Sequence, residues 1–323
     1  MAAPSPTGVR VPQLILHHYP SSPFSEKIRA ILGFKGLRWS SVVIPVIMPK
    51  PDAVALTGGY RKTPFLQIGS DIYCDSALIA DVLERLAPTP SLHPPESAGL
   101  ARIVAQWADS ALFGAAVGHI FQPAGVQSLF GHLPPEHIKA FLADRAALSA
   151  GASSPGMNPQ EATGALRLYL QQLDTRLADG RPWLFGPAPS LADFSVYHCL
   201  WFVQQVKAVS GILDESPHVK HFLDRFQTFS QGASEQLSST EAIAIAARGR
   251  PEPLADEPFV DAQQGLAKGA RVKVSATDYG KDPVEGEFVL SRPNELAIRR
   301  TDARAGELVV HFPRLGFQVR AAE

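Results

Sequence analysis

The chain has 323 residues, 45% of them hydrophobic and 19% charged, a composition that can bury real cores and excludes wholesale disorder. Lysine and arginine number 30 against 31 acids, a net charge of -1, so no global basic field draws the protein to nucleic acid or anionic lipid. At roughly 100–200 residues per domain, the length gives two or three domains.

In the first segment, residues 11–90, Leu14-Ile15-Leu16 has strand character and runs into Tyr19-Pro20-Ser21-Ser22-Pro23, dense in turn and cap residues. From Pro23 the period becomes helical: Phe24, Ile28, Ile31 and Leu32 recur at three- and four-residue steps, and Gly36 supplies a stop. A second strand spans Trp39 to Val46, followed by a Pro-rich loop holding Met48-Pro49-Lys50-Pro51. Phe65 to Ile68 and Asp71 to Tyr73 flank Gly69-Ser70, a hairpin signature. Asp75-Ser76 then opens a helix with the stripe Leu78, Ile79, Val82, Leu83 and Leu86. The order is β-α-β, a β-hairpin, then α.

Residues 95–250 carry almost no strand signal. Helical stripes run through Ile103, Val104 and Trp107, through Ile138, Phe141 and Leu142, and through Leu166, Leu170 and Leu173, with further helices from Leu191 and Pro217. Ser190 to Asp193 has capping-box spacing, with Asp in place of Glu. After Arg250-Pro251-Glu252-Pro253 the period changes to two, and residues 256–323 hold five short alternating strands around Val272, Phe288, Leu296, Leu308 and Phe317. That spacing predicts a small antiparallel barrel or curled sheet.

Cys74 and Cys199 cannot build a disulfide framework or a four-thiolate zinc site, and their apolar neighbours make both buried, reduced thiols. No basic flank feeds an apolar run at Met1 to Pro6, and no stretch approaches the roughly 20 apolar residues of a membrane helix. The expectation is a cytoplasmic protein with no membrane or nucleic-acid partner. His17 and His18, adjacent on a strand, point to opposite faces and cannot share an ion, so one is expected buried and one exposed, with no metal. His198-Cys199 sits among Tyr197, Leu200 and Trp201 and reads as core. Trp107, Phe113 and Phe121 are open to two readings, core or an apolar pocket.

The serines at the start of the first helix sit where unpaired amides and the macrodipole favour an anion. They either cap that helix or donate to a bound anion such as a thiolate. Together with Thr63-Pro64 just before a strand, Asp75-Ser76 opening a helix, and the all-helical second segment with its Ser190–Asp193 box, the chain resembles the glutathione transferase superfamily up to about Arg248. The resemblance implies a thioredoxin-like α/β domain with an all-α domain packed on it; the five strands that follow complete the expected fold as a small C-terminal β-barrel. That third segment looks like an extension seen on some bacterial and fungal transferase-like proteins. The resemblance places Ser22 at the catalytic position, donating to the glutathione thiolate, with Ser21, Ser25 and Tyr19 as rivals. It gives Thr63 the cysteinyl backbone, with Pro64 cis, and gives Asp75 and Ser76 the γ-glutamyl end. Lys50, Arg61 and Lys62 are the candidates for the glycyl carboxylate. Serine at both Ser22 and Ser25 leaves no thiol pair for glutaredoxin-type exchange.

The implied activity is transfer of glutathione to a hydrophobic electrophile by a homodimer, with glutathione as co-substrate and no metal. Two alternatives stay open: a non-catalytic glutathione or ligand carrier, and a pathway-specific glutathione-dependent lyase or isomerase. In the third segment Asp278, Tyr279, His311 and Arg314 flank turns and are further polar candidates.

Overall fold

The computed structural model describes residues 12–153, 156–229, 231–254 and 265–322. The opening Met1 to Pro6, and 256–264 at the start of the third segment, lie outside the described residues. The first elements are strand β1 (Ile15–His18), helix α1 (Pro23–Phe34), strand β2 (Arg38–Val43), helix α2 (Pro51–Thr57), the hairpin β3 (Phe65–Ile68) and β4 (Asp71–Cys74), and helix α3 (Ser76–Leu86). β1 is buried at every residue because it lies between β2, which it pairs in parallel, and β3, which it pairs antiparallel. The two-residue period divides its neighbourhood: Leu14 and Leu16 join one core, and Ile15 joins the other. Helix α2 occupies part of what the sequence gives as a Pro-rich loop; Pro51 starts it and Gly58, at φ 79°, ends it in the left-handed conformation that glycine adopts without strain.

Helices α4 (Leu100–Trp107), α5 (Phe113–Ile120), α6 (Pro123–Phe130), α7 (Pro135–Ser149), α8 (Pro159–Leu177), α9 (Leu191–Gln205) and α10 (Pro217–Arg225) form the helical layer, with a π-helical turn over Ala108–Leu112 joining α4 to α5. α9 packs against α1, so Phe194, Val196 and Leu200 share a core with Leu14, Ile28 and Ile31. At its start the Asp193 carboxylate accepts from the Ser190 amide (2.7 Å), the Ser190 hydroxyl (2.8 Å) and the Leu184 amide (2.8 Å). One buried side chain thereby satisfies a helix end and a distant loop.

Beyond the helices the chain returns to the first layer. Strand β5 (Ala233–Gln236) adds in parallel to the free edge of β2, and helix α11 (Ser239–Arg248) packs on α2. The C-terminal strands β6 (Arg271–Ala276), β7 (Val284–Ser291), β8 (Glu295–Asp302), β9 (Gly306–Pro313) and β10 (Phe317–Ala321) form the expected five-stranded antiparallel array. Their ladder order is that of the curled-sheet form, and β9 pairs in parallel with β4. The result is one ten-stranded sheet, ordered β10-β6-β7-β8-β9-β4-β3-β1-β2-β5.

Both histidines of β1 are buried, which corrects the expectation of one exposed ring. His17 stacks on Phe65 and bonds Gln67 at 2.8 Å; His18 bonds Ser41 at 2.9 Å and faces Arg29 at 3.0 Å. The layer added by α2, α11 and the C-terminal strands covers the His17 face, which local sequence could not reveal. Burial pulls both imidazoles down to about 4, so they are neutral polar groups of the core. Among the described residues no helix is long and apolar enough to cross a membrane, and no group of three or more His, Cys, Asp or Glu is placed to hold a metal ion.

Candidate functional site

The site lies where β1 delivers the chain to α1. Ser22 is the N-cap: its backbone is extended, its hydroxyl oxygen accepts from the Ser25 amide (3.2 Å), and its own amide donates to the Tyr19 carbonyl (3.1 Å). Accepting with one lone pair leaves the Ser22 O–H as a donor, and the Tyr19 phenol is the side chain it bonds here. Ser22 is 2% exposed, with Tyr19 beside it. The two rival serines fall on either side: Ser21 is exposed, while Ser25 is fully buried with its hydroxyl unpaired among the described residues.

Thr63 and Pro64 lead into β3, and the bond between them is cis. Thr63 is half-buried, and neither its amide nor its carbonyl has a hydrogen-bond partner among the described residues. Such an open pair is what an extended peptide ligand can add to. At the start of α3, Asp75 has φ 76°, the left-handed region that costs a non-glycine residue of order 1–3 kcal/mol. One of its carboxylate oxygens caps the Ala77 amide at 2.9 Å. Burial raises the Asp75 pKa, partly offset by the Ala77 amide and by the Lys62 and Lys27 ammoniums.

Ser76 is held from beneath. Lys27 of α1, fully buried, reaches the Ser76 hydroxyl at 3.5 Å and the Asp109 carboxylate at 2.6 Å, and His198 bonds the other Asp109 oxygen at 2.9 Å. Burial works against the Asp109 charge, but the Lys27 ammonium and the His198 bond outweigh it and lower the carboxyl to about 2. This Lys27–Asp109–His198 chain ties α1 and α3 to the π-turn and α9. No local pattern signals it, because its members are 82 and 89 residues apart. His198 and Cys199 are buried as expected of core, and burial pushes the Cys199 thiol well up.

The three cations differ sharply. Arg61 pairs with Asp144 of α7 at 2.8 Å and lies 3.9 Å from Asp282. Lys62 pairs with Asp278 at 2.6 Å, its ammonium 4.2 Å from the centre of the Tyr279 ring. Lys50, at the start of α2, has no ion pair among the described residues and sits 5.6 Å from the Tyr19 ring centre. Burial, with Arg145 and Arg61 nearby, lowers its pKa to about 8. Of the aromatic candidates, Phe113 meets Phe24 of α1 at 4.7 Å, two residues from Ser22, whereas Trp107 packs on Tyr169 and Phe121 on Phe130. In the third segment Asp278 and Tyr279 come to the site, while His311 and Arg314 are engaged elsewhere, with Asp71 and Glu295 and with Arg292 and Ser291.

A family model for the glutathione S-transferase N-terminal domain matches residues 16–91, and one for the glutathione S-transferase C-terminal domain matches residues 145–225. The solved structure of a GST-like protein from Pseudomonas syringae is 42% identical, covering 96% of this chain and 99% of that one at a TM-score of 0.80. The chain belongs to the glutathione S-transferase superfamily. Two more distant transferases share its fold. The Tau class enzyme of mango, Mangifera indica, is 15% identical over 68% of this chain and 90% of that one, with a TM-score of 0.51. A glutathione S-transferase from Rhodospirillum rubrum is 16% identical over 75% and 95%, with a TM-score of 0.52. No curated protein matches the sequence. Neither transferase domain match extends past residue 225, so β5, α11 and the five C-terminal strands lie beyond both, whereas the Pseudomonas syringae structure matches 96% of the chain.

Proposed function

We propose that the protein is a glutathione transferase in which the Ser22 hydroxyl stabilises the glutathione thiolate for attack on a hydrophobic electrophile. The observation that carries this reading is the Ser22 oxygen itself, which caps α1 by accepting and so has its proton to donate, to the Tyr19 phenol here and to a thiolate in its place, at a helix start close to the unpaired Thr63 peptide groups. A free thiol has a pKa of roughly 8.5. Lowering it by about 1–2 units requires about 1.4–2.7 kcal/mol. One hydrogen bond to a charged acceptor supplies about 1.5–3 kcal/mol, and the helix terminus adds some tenths to about one more. A donor hydroxyl therefore suffices without a general base.

In this reading Thr63 pairs with the cysteinyl backbone, and Asp75 holds the γ-glutamyl ammonium through the oxygen that does not cap Ala77. Ser76 supplies a hydroxyl to the same end. Lys50 takes the glycyl carboxylate, since Arg61 and Lys62 already have carboxylate partners. Phe24 and Phe113 offer the electrophile an apolar wall close to the sulfur. A homodimer would have to form without the β4 edge, which β9 occupies. The slight exposure of Ser22 favours one second reading, a carrier that binds glutathione without activating it.

The test of the binding assignment is calorimetry on Asp75→Asn, which keeps an acceptor for Ala77 and removes the charge. Glutathione binding should weaken by about 2–5 kcal/mol, the cost of truncating one side of a buried charge pair. Unchanged affinity would refute the assignment of Asp75.

A further inference from the structure

The C-terminal sheet sends one loop back to the site. Between β6 and β7, Asp278 pairs with Lys62 and its carbonyl accepts from the Ser153 amide at 2.9 Å. The Gly280 amide donates to the Leu148 carbonyl at the end of α7 (2.8 Å), and Asp282 faces Arg61. Gly280 has φ +60°, and a Cβ there would come within 3.0 Å of the Leu148 side chain and 3.5 Å of Lys62, so glycine permits this close approach. The loop is therefore fastened both to the helical layer and to the two residues that precede Thr63-Pro64.

Tyr279 sits at the centre of this clasp. Its ring lies 4.2 Å from the Lys62 ammonium, and it is half-buried. Its phenol has no hydrogen-bond partner among the described residues, so its donor is open to a ligand. The charged and titratable groups whose fields reach it are Asp278, Asp75, the Tyr19 phenol and Arg145. Burial first, then the carboxylates, raises its pKa above that of free tyrosine, so it stays a neutral donor.

We propose that Tyr279 is a binding residue of the tripeptide site, donating its phenol to the γ-glutamyl carboxylate across from Asp75, so that the C-terminal sheet forms one wall of the glutathione pocket. This rests on the glutathione reading above and adds a third part of the chain to it. The two charged groups of the γ-glutamyl end are then held from opposite sides: the ammonium by Asp75 and the carboxylate by Tyr279. Lys62 is kept out of competition for that carboxylate by Asp278.

The test uses the full chain with Tyr279→Phe, which retains the ring on Lys62, and Tyr279→Ala. Binding of S-hexylglutathione and of S-hexylcysteinylglycine, which lacks the γ-glutamyl unit, is measured by calorimetry alongside thermal melting. The expected result is a loss of about tenfold for S-hexylglutathione in Tyr279→Phe, with the dipeptide and the melting temperature unmoved. Tyr279→Ala should lose at least as much for the tripeptide. Equal losses for both ligands, or none for either, would overturn the proposal while leaving the glutathione reading intact. Failure of the unsubstituted protein to bind S-hexylglutathione would sink both.

Discussion

A hydroxyl can accept and donate at once, and Ser22 is placed to use both capacities, accepting from the Ser25 amide and donating towards the Tyr19 phenol. That dual role explains why the sequence alone could not choose between helix cap and thiol donor: the two readings describe the same atom. Asp75, Ser76 and Pro64 were similarly visible, because cap chemistry and a proline next to a strand are local. The cations were not. Lys50, Arg61 and Lys62 look alike in sequence, and they are told apart only by Asp144 and Asp278, which lie 83 and 216 residues away from their partners. Lys50 has no ion pair among the described residues. Its ammonium, depressed to about 8, attracts a carboxylate below that pH and loses its charge above it. Affinity for S-hexylglutathione, which carries no titrating thiol, should fall as pH rises through about 8, and Lys50→Gln should bind more weakly at neutral pH with a flatter profile. A wild-type affinity constant across that range would remove Lys50 from the site.

Among the elements, those with a strong internal period were legible and those made by their neighbours were not. The five C-terminal strands announce themselves by alternation, and α1 and α3 by their caps and stripes. β5 is Ala-Ser-Glu-Gln with every residue exposed, and only the open edge of β2 makes it a strand. α2 is a single short stretch between Pro51 and Gly58, too brief for a hydrophobic period to register. The β4–β9 junction was equally hidden, and it carries a buried charge cluster. His311 bonds Glu295 at 2.7 Å and Asp71 at 3.1 Å, stacks on Tyr73, and has Arg85 and Arg292 facing the same Glu295. Burial disfavours its cation, but the two carboxylates prevail and raise its pKa above 6.5. A raised folded-state pKa contributes stability that is fully present below the unfolded value and is lost as pH rises through the folded one. His311→Gln should therefore cost about 3–5 kcal/mol in urea unfolding at acidic pH, and its deficit relative to wild type should shrink as pH rises above the ordinary imidazole range. A deficit independent of pH would show that His311 is neutral in the fold.

At the scale of the whole molecule, the second covering of the sheet is what separates this chain from a two-domain transferase. α2, α11 and β6–β10 share one core with Ile15, Phe65 and Ile72, while α1, α3 and the helical layer share the other. The order of blocks along the chain was readable from changes of period. Their assembly was not, because the pairing of 71–73 with 309–311 and of 38–41 with 233–236 is chosen by shape across long separations. This assembly ties α7 and the β6–β7 loop to Arg61 and Lys62, the two residues that precede Thr63.

The most direct test of the account is an ultraviolet pH titration of the bound glutathione thiol in wild type and in Ser22→Ala, with affinity measured in parallel. The bound thiol pKa should lie about 1–2 units below the free value of roughly 8.5 in wild type and return towards that value in Ser22→Ala, with binding largely kept. Identical titrations in the two proteins would contradict it.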